Sequence, residues 1–145
     1  MSHHDLIRRY FAALASGDLS DDLFTDDMTA WTTSSGASAP KARYQGGVKL
    51  LQSLFPEGLA YEIDSITVED DRAAVEARSH GVLSNGEVFD NAYVFVFRIR
   101  SGRIASVAEH FNPIPVREKI GPLMQAALSR AQGLSAAALA SGAER

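Results

Sequence analysis

Residues 91–111 read Asn91-Ala92-Tyr93-Val94-Phe95-Val96-Phe97-Arg98-Ile99-Arg100-Ser101-Gly102-Arg103-Ile104-Ala105-Ser106-Val107-Ala108-Glu109-His110-Phe111. Two runs rich in β-branched and aromatic residues flank a Ser-Gly pair, the composition of a tight turn between antiparallel strands. The expected strands are Asn91 to Arg100 and Arg103 to Phe111. Upstream, Leu59 to Val68 and Ala73 to Leu83 read the same way, joined by Asp70-Asp71 and followed by Asn85-Gly86. Four consecutive strands with hairpin turns form a meander.

The residues before the meander have a helical period. From Asp5 to Ala15, Leu6, Ile7, Tyr10, Phe11 and Leu14 recur at three- and four-residue spacing, with Gly17 as a stop. A short helix from Ser20 to Phe24, a strand from Met28 to Thr33, a loop from Ser34 to Ala42 and a helix from Gln45 to Phe55 follow. Past the meander, a helix is expected from Pro115 to about Ala131. Helices first and strands afterwards give an α+β fold, with helices packed on one face of a curved antiparallel sheet. The chain reads as one domain over 1–132 with an Ala/Ser-rich tail over 133–145, either a frayed helix or disordered.

A chain of 145 residues builds one sizeable core. The net charge is −4 and the 14 basic residues are scattered, which argues against a nucleic-acid partner. The absence of cysteine excludes disulfides, thiol nucleophiles and thiolate metal sites. Neither a signal-peptide pattern nor a membrane-spanning apolar run is read, so a cytoplasmic location without membrane attachment is expected. Adjacent histidines and the pair Glu109-His110 point to opposite sides of a strand, so no metal site is expected.

Chemistry centres on the last strand. Alternation places Ala105, Val107, Glu109 and Phe111 on one face. If that face is the core, Glu109 is a carboxyl in an apolar wall, where burial disfavours its charged form. In the opposite register Ser106, Ala108 and His110 point inward and Glu109 is solvated. Asn91, Tyr93, Phe95 and Phe97 share a face that combines polar groups with aromatics, as ligand pockets do and as many plain sheets also do. Trp31, next to Thr32-Thr33 and the Gly-rich loop, either walls a planar ligand or fills the core.

The order of elements resembles the nuclear-transport-factor-2-like (SnoaL-like, ketosteroid-isomerase-like) superfamily to about Pro122. The segments Arg9-Tyr10-Phe11-Ala12-Ala13-Leu14, Gly17-Asp18 and Leu23-Phe24-Thr25-Asp26-Asp27 resemble its opening helices. The resemblance implies a cone-shaped sheet with the N-terminal helices across its concave face, a small hydrophobic organic ligand inside, and a homodimer. Tyr10 matches the oxyanion tyrosine of the steroid isomerases. Their two catalytic aspartates fall near Thr32 and Phe95, which argues against steroid isomerisation by that mechanism. In motif the chain is most similar to the phenazine-biosynthesis A/B proteins, through Trp31-Thr32-Thr33 with Gly36, the Asn91 strand, and Gly102-Arg103-Ile104 followed by Glu109 and Asn112. The glutamate matching Glu109 is an acid/base there, whereas their active-site histidine falls near Ser53.

The resemblance therefore implies a cofactor-independent isomerase, dehydratase or cyclase. Glu109 and Tyr10 are the catalytic candidates; Trp31, Asn91, Tyr93, Phe95 and Phe111 are the substrate-binding candidates. The alternative is a non-catalytic ligand-binding or dimeric scaffold module of the same fold.

Overall fold

The computed structural model describes residues 2–143, with side chains described through Gly133. The final two residues of the expected tail, 144–145, lie outside the described residues. Helix α1 (His3–Ser16) opens with a capping box, in which the Ser2 hydroxyl and the Asp5 carboxylate each accept the other's backbone N–H. It ends at Gly17 in the left-handed conformation, φ 79°. Its buried face is Leu6, Ile7, Tyr10, Phe11 and Leu14, the stripe its period predicts.

The expected second helix is only a single 3-10 turn, Asp21–Leu23. Strand β1 (Phe24–Thr32) begins earlier than its sequence suggests, and the presumed loop contains a short strand β2 (Ser38–Pro40). Helix α2 (Lys41–Ser53) starts four residues before the expected Gln45. Strands β3 (Ala60–Glu69), β4 (Arg72–Val82), β5 (Val88–Arg100) and β6 (Arg103–Phe111) form the meander. A short helical turn α3 (Pro113–Pro115), a π-helical turn (Val116–Ile120) and helix α4 (Gly121–Ala143) complete the chain. Helix α4 continues through Gly133, so the backbone has no boundary there.

The fold is α+β, with one six-stranded, curved and unclosed sheet in the order β2-β1-β6-β5-β4-β3. The meander strands pair antiparallel as expected. Strand β1 departs from that pattern by pairing parallel with β6, because the intervening chain returns it to the sheet's far side. The β5–β6 hairpin turns on Ser101 and Gly102, both at positive φ (53° and 74°), the requirement of a two-residue type I′ turn.

Alternation along β5 buries Phe89, Asn91, Tyr93, Phe95, Phe97 and Ile99. In β6 a bulge between Arg98 and Ile99 of the pairing strand changes the parity. Ile104, rather than the expected Ala105, is buried, followed by Val107 and Glu109. Helix α1 lies across this concave face. The Tyr10 ring meets Phe95 and Phe97 at centroid distances of 6.1 and 5.0 Å, and Phe11 meets Phe95 at 4.9 Å. Edge-on aromatic packing of this kind closes the main core. A second cluster, including Leu54, Phe55, Leu59, Leu83, Phe89 and Ile120, seals the other end beneath the π-helical turn.

Candidate active site around Glu109

Between the two cores the layers leave a cavity of about 310 Å³. Its walls are mostly apolar, including Leu14, Val48, Leu51, Phe89, Phe111 and Ile120, and Glu109 and Tyr93 also reach it. Helix α2 supplies Tyr44, Gly47 and Val48 from one side, and the C-terminal elements supply Val116, Ile120 and Met124 from another.

The backbone of Glu109 is clamped from the end of β1. Thr32 pairs with Glu109 in the parallel ladder, and the Thr33 N–H and hydroxyl both donate to the Glu109 carbonyl, at 3.1 and 3.2 Å. The Phe111 N–H donates to the Thr33 hydroxyl oxygen at 3.1 Å. The Trp31-Thr32-Thr33 segment thus fixes the strand that carries the carboxyl.

Glu109 faces inward and is 8% exposed. Its Oε2 accepts a hydrogen bond from the Tyr44 hydroxyl at 2.7 Å. The hydroxyls of Tyr44 and Tyr10 are also hydrogen-bonded to each other. A phenol has one proton, so when Tyr44 gives its proton to the carboxylate, Tyr10 must donate to Tyr44. The result is a directed chain, Tyr10 to Tyr44 to Glu109. Among the described residues Tyr44 is the only hydrogen-bond partner of the Glu109 side chain, yet no fully enclosed side-chain oxygen is without a partner. Oε1 therefore retains accessible surface, and the cavity is what it opens onto.

Burial raises the Glu109 pKa to about 7, against the opposing pull of the Tyr44 hydrogen bond. Burial and the nearby Glu109 carboxylate push the Tyr10 and Tyr44 phenols well above their ordinary value, so both remain proton donors at neutral pH. Tyr93 is raised too, first by burial; its hydroxyl is 2.7 Å from the Ser79 hydroxyl. The site thus offers one carboxyl poised between its two protonation states, inside an apolar cavity with phenolic donors. Such a carboxyl can accept a proton from a carbon or oxygen acid and deliver it elsewhere.

Of the residues singled out in the sequence, Glu109, Tyr93 and Phe111 line the cavity. Tyr10 does not: it is completely buried behind Tyr44 and is linked by hydrogen bonds to Glu109 only through that residue. Phe95 is also completely buried, packed under Tyr10 and Phe11, and serves the core. Asn91 faces inward, but its amide donates to the Asn112 carbonyl at 3.0 Å and tethers β5 to the turn after β6. It borders an outer cleft with Ser79 and His80 instead of the cavity. Trp31 lies on the other side of β1 from Ala30 and Thr32, with its ring 4.9 Å from that of His110. Bulk pointing away and small residues pointing inward leave the cavity open.

Sequence reasoning missed Tyr44, and also Tyr61, which lines the cavity and is hydrogen-bonded to Tyr93. The signal for Tyr44 was present: it lies one turn before Val48, and Tyr44, Val48 and Leu51 carry the helical period to one residue before the expected start at Gln45. Among the described residues no group of three or more His, Asp or Glu side chains could hold a metal ion, and no helix is long and apolar enough to cross a membrane.

The model of the SnoaL-like domain matches residues 7–107, and the chain belongs to the SnoaL-like family. Solved structures share the fold at low identity. IdmH from Streptomyces antibioticus, described as a proposed polyketide cyclase, is 19% identical with a TM-score of 0.69, over 81% of this chain and 97% of that one. AclR from Streptomyces galilaeus, described as a proposed hydroxylase, is 19% identical with a TM-score of 0.69, over 82% and 95%. An NTF2-like protein from Anabaena variabilis is 22% identical with a TM-score of 0.67, over 77% and 94%. No curated protein matches the chain in sequence.

Proposed function

We propose that the protein is a cofactor-independent acid/base enzyme that isomerises, dehydrates or cyclises a small cyclic or aromatic substrate, with Glu109 as the proton carrier. The observation that carries this reading is the buried Glu109 carboxyl, pKa about 7, with one oxygen bonded to Tyr44 and the other open to an apolar cavity. As the carboxylate, Oε1 removes a proton from a carbon beside a carbonyl, and the substrate's electron pair moves onto the carbonyl oxygen. The resulting carboxylic acid returns that proton to a different atom, and the electron pair moves back. When the hydroxyls of Ser79 and Tyr61 both donate to Tyr93, the Tyr93 proton is free for the developing oxyanion. Tyr44 and Tyr10 are positioning residues that hold Glu109 and set its basicity. The description of IdmH as a proposed cyclase accords with chemistry of this class on the same fold.

The base can be tested before the natural substrate is known. A nitrobenzisoxazole is a planar carbon acid whose ring opens once a base removes its proton, so it reports on a carboxylate in an apolar site. The protein should open the ring with a rate that rises through about pH 7. Glu109→Gln should lower that rate at least ~100-fold while the fold and the binding of the probe persist. An unchanged rate in the variant would overturn the catalytic reading and leave a binding module.

A further inference from the structure

The cavity has two charged side chains in its lining, and they differ in kind. Glu109 is enclosed and neutralisable; Arg43, in the first turn of α2, is exposed at the rim. Among the described residues some surface cations are paired with carboxylates, Lys41 with Asp21 and Asp26, Arg78 with Glu62 and Asp64, Arg100 with Asp27, whereas others such as Arg8, Lys49 and Arg98 are not; of the unpaired ones Arg43 is the one that lines the cavity. Arg43 has no hydrogen-bond or ion-pair partner among the described residues. Its guanidinium therefore presents a positive charge and a planar fork of donors at the entrance of a mostly apolar chamber. The Ser34 hydroxyl also lines the cavity.

We propose that the molecule this cavity takes is a planar organic acid, whose carboxylate is held at the rim by Arg43 while its ring system enters toward Glu109. Attraction and repulsion fix the same orientation. A carboxylate seated at the rim can form the bidentate pair that guanidinium geometry favours. The same carboxylate turned inward meets the Glu109 carboxyl and apolar walls, where its desolvation is uncompensated. The volume of about 310 Å³ is at the lower end of small-molecule sites and suits a small fused-ring body. Rim and floor thus place the end of the substrate remote from the anion next to Oε1. This proposal rests on the reading of Glu109 as the proton carrier, since that reading makes the inner end the reacting end.

The test compares binding of 2-naphthoate with that of its neutral counterpart, 2-naphthalenemethanol, by calorimetry on the wild type, Arg43→Gln and Glu109→Gln. The wild type should prefer naphthoate. Arg43→Gln should weaken naphthoate binding about tenfold, the scale of a lost charged hydrogen bond, and leave the alcohol unchanged. Equal affinity for the two probes, an equal loss for both in Arg43→Gln, or no binding of either would overturn the anionic class. Glu109→Gln should keep the preference for naphthoate. If it does so while ring opening of the nitrobenzisoxazole is unaffected, the catalytic reading falls and the anion site stands; the reverse pattern separates them the other way.

Discussion

At the scale of the residue, burial of Glu109 has a cost to the fold that depends on pH. Its pKa is about 7 in the folded chain and 4.5 in the reference state, so between those values the folded protein holds a proton the unfolded chain has released. Stability contributed by this group is therefore intact below 4.5, falls as pH rises toward 7, and stays low above it. The shift corresponds to a loss on the order of 3 kcal/mol. Glu109→Gln keeps an acceptor for Tyr44 and has no charge to bury. Urea unfolding at about pH 4 and about pH 8 should show wild type and variant alike at the lower pH and the variant more stable at the higher one. Identical pH dependence in both would mean that Glu109 titrates normally. The position of this carboxyl was half legible in the sequence: alternation put Glu109 with Val107 and Phe111, but only the packing of α1 and α2 on that face selects the register. Trp31 was misread for the converse reason. A strand lining a cavity turns its small residues inward, so the large apolar side chain is the wrong guide to the inner face.

At the scale of the element, the curved sheet must come close to the loop after α2. Gly81 sits on the inner face of β4, where a Cβ would lie 2.7 Å from a ring carbon of Phe55 and 3.1 Å from a Leu59 methyl. Gly81→Ala should therefore overpack the second core and cost about 1–3 kcal/mol, measurable as a lower urea midpoint with an unchanged slope. An unchanged midpoint would show that Phe55 can move aside. The meander was read well from the sequence because β strands with two-residue turns announce themselves locally: Ser101-Gly102 and Asp70 supply the positive φ their turns need. Strand β2 and the early start of β1 were not announced. Three residues, Ser38–Pro40, pair with Thr29, Ala30 and Trp31 only because the chain folds back there. Their pairing is a tertiary event, invisible to a local period.

At the scale of the whole molecule, the fold keeps a space open where a more thoroughly packed domain would be solid. Helices α1 and α2, the sheet, and the residues Val116, Ile120 and Met124 surround a volume into which the Glu109 carboxyl is aimed. Family membership explains the architecture, and relatives below 25% identity share that architecture alone, so the chemistry has to be read from this chain's own residues. The central claim is that the Glu109 carboxyl is poised near neutrality inside the cavity. The most direct measurement is a pH titration of the side-chain carboxyl carbons by NMR in protein labelled at glutamate, with Glu109→Gln identifying the resonance. The account predicts that one glutamate titrates at about 7 and disappears in the variant. A Glu109 resonance titrating near 4.5, in the ordinary glutamate range, would contradict it.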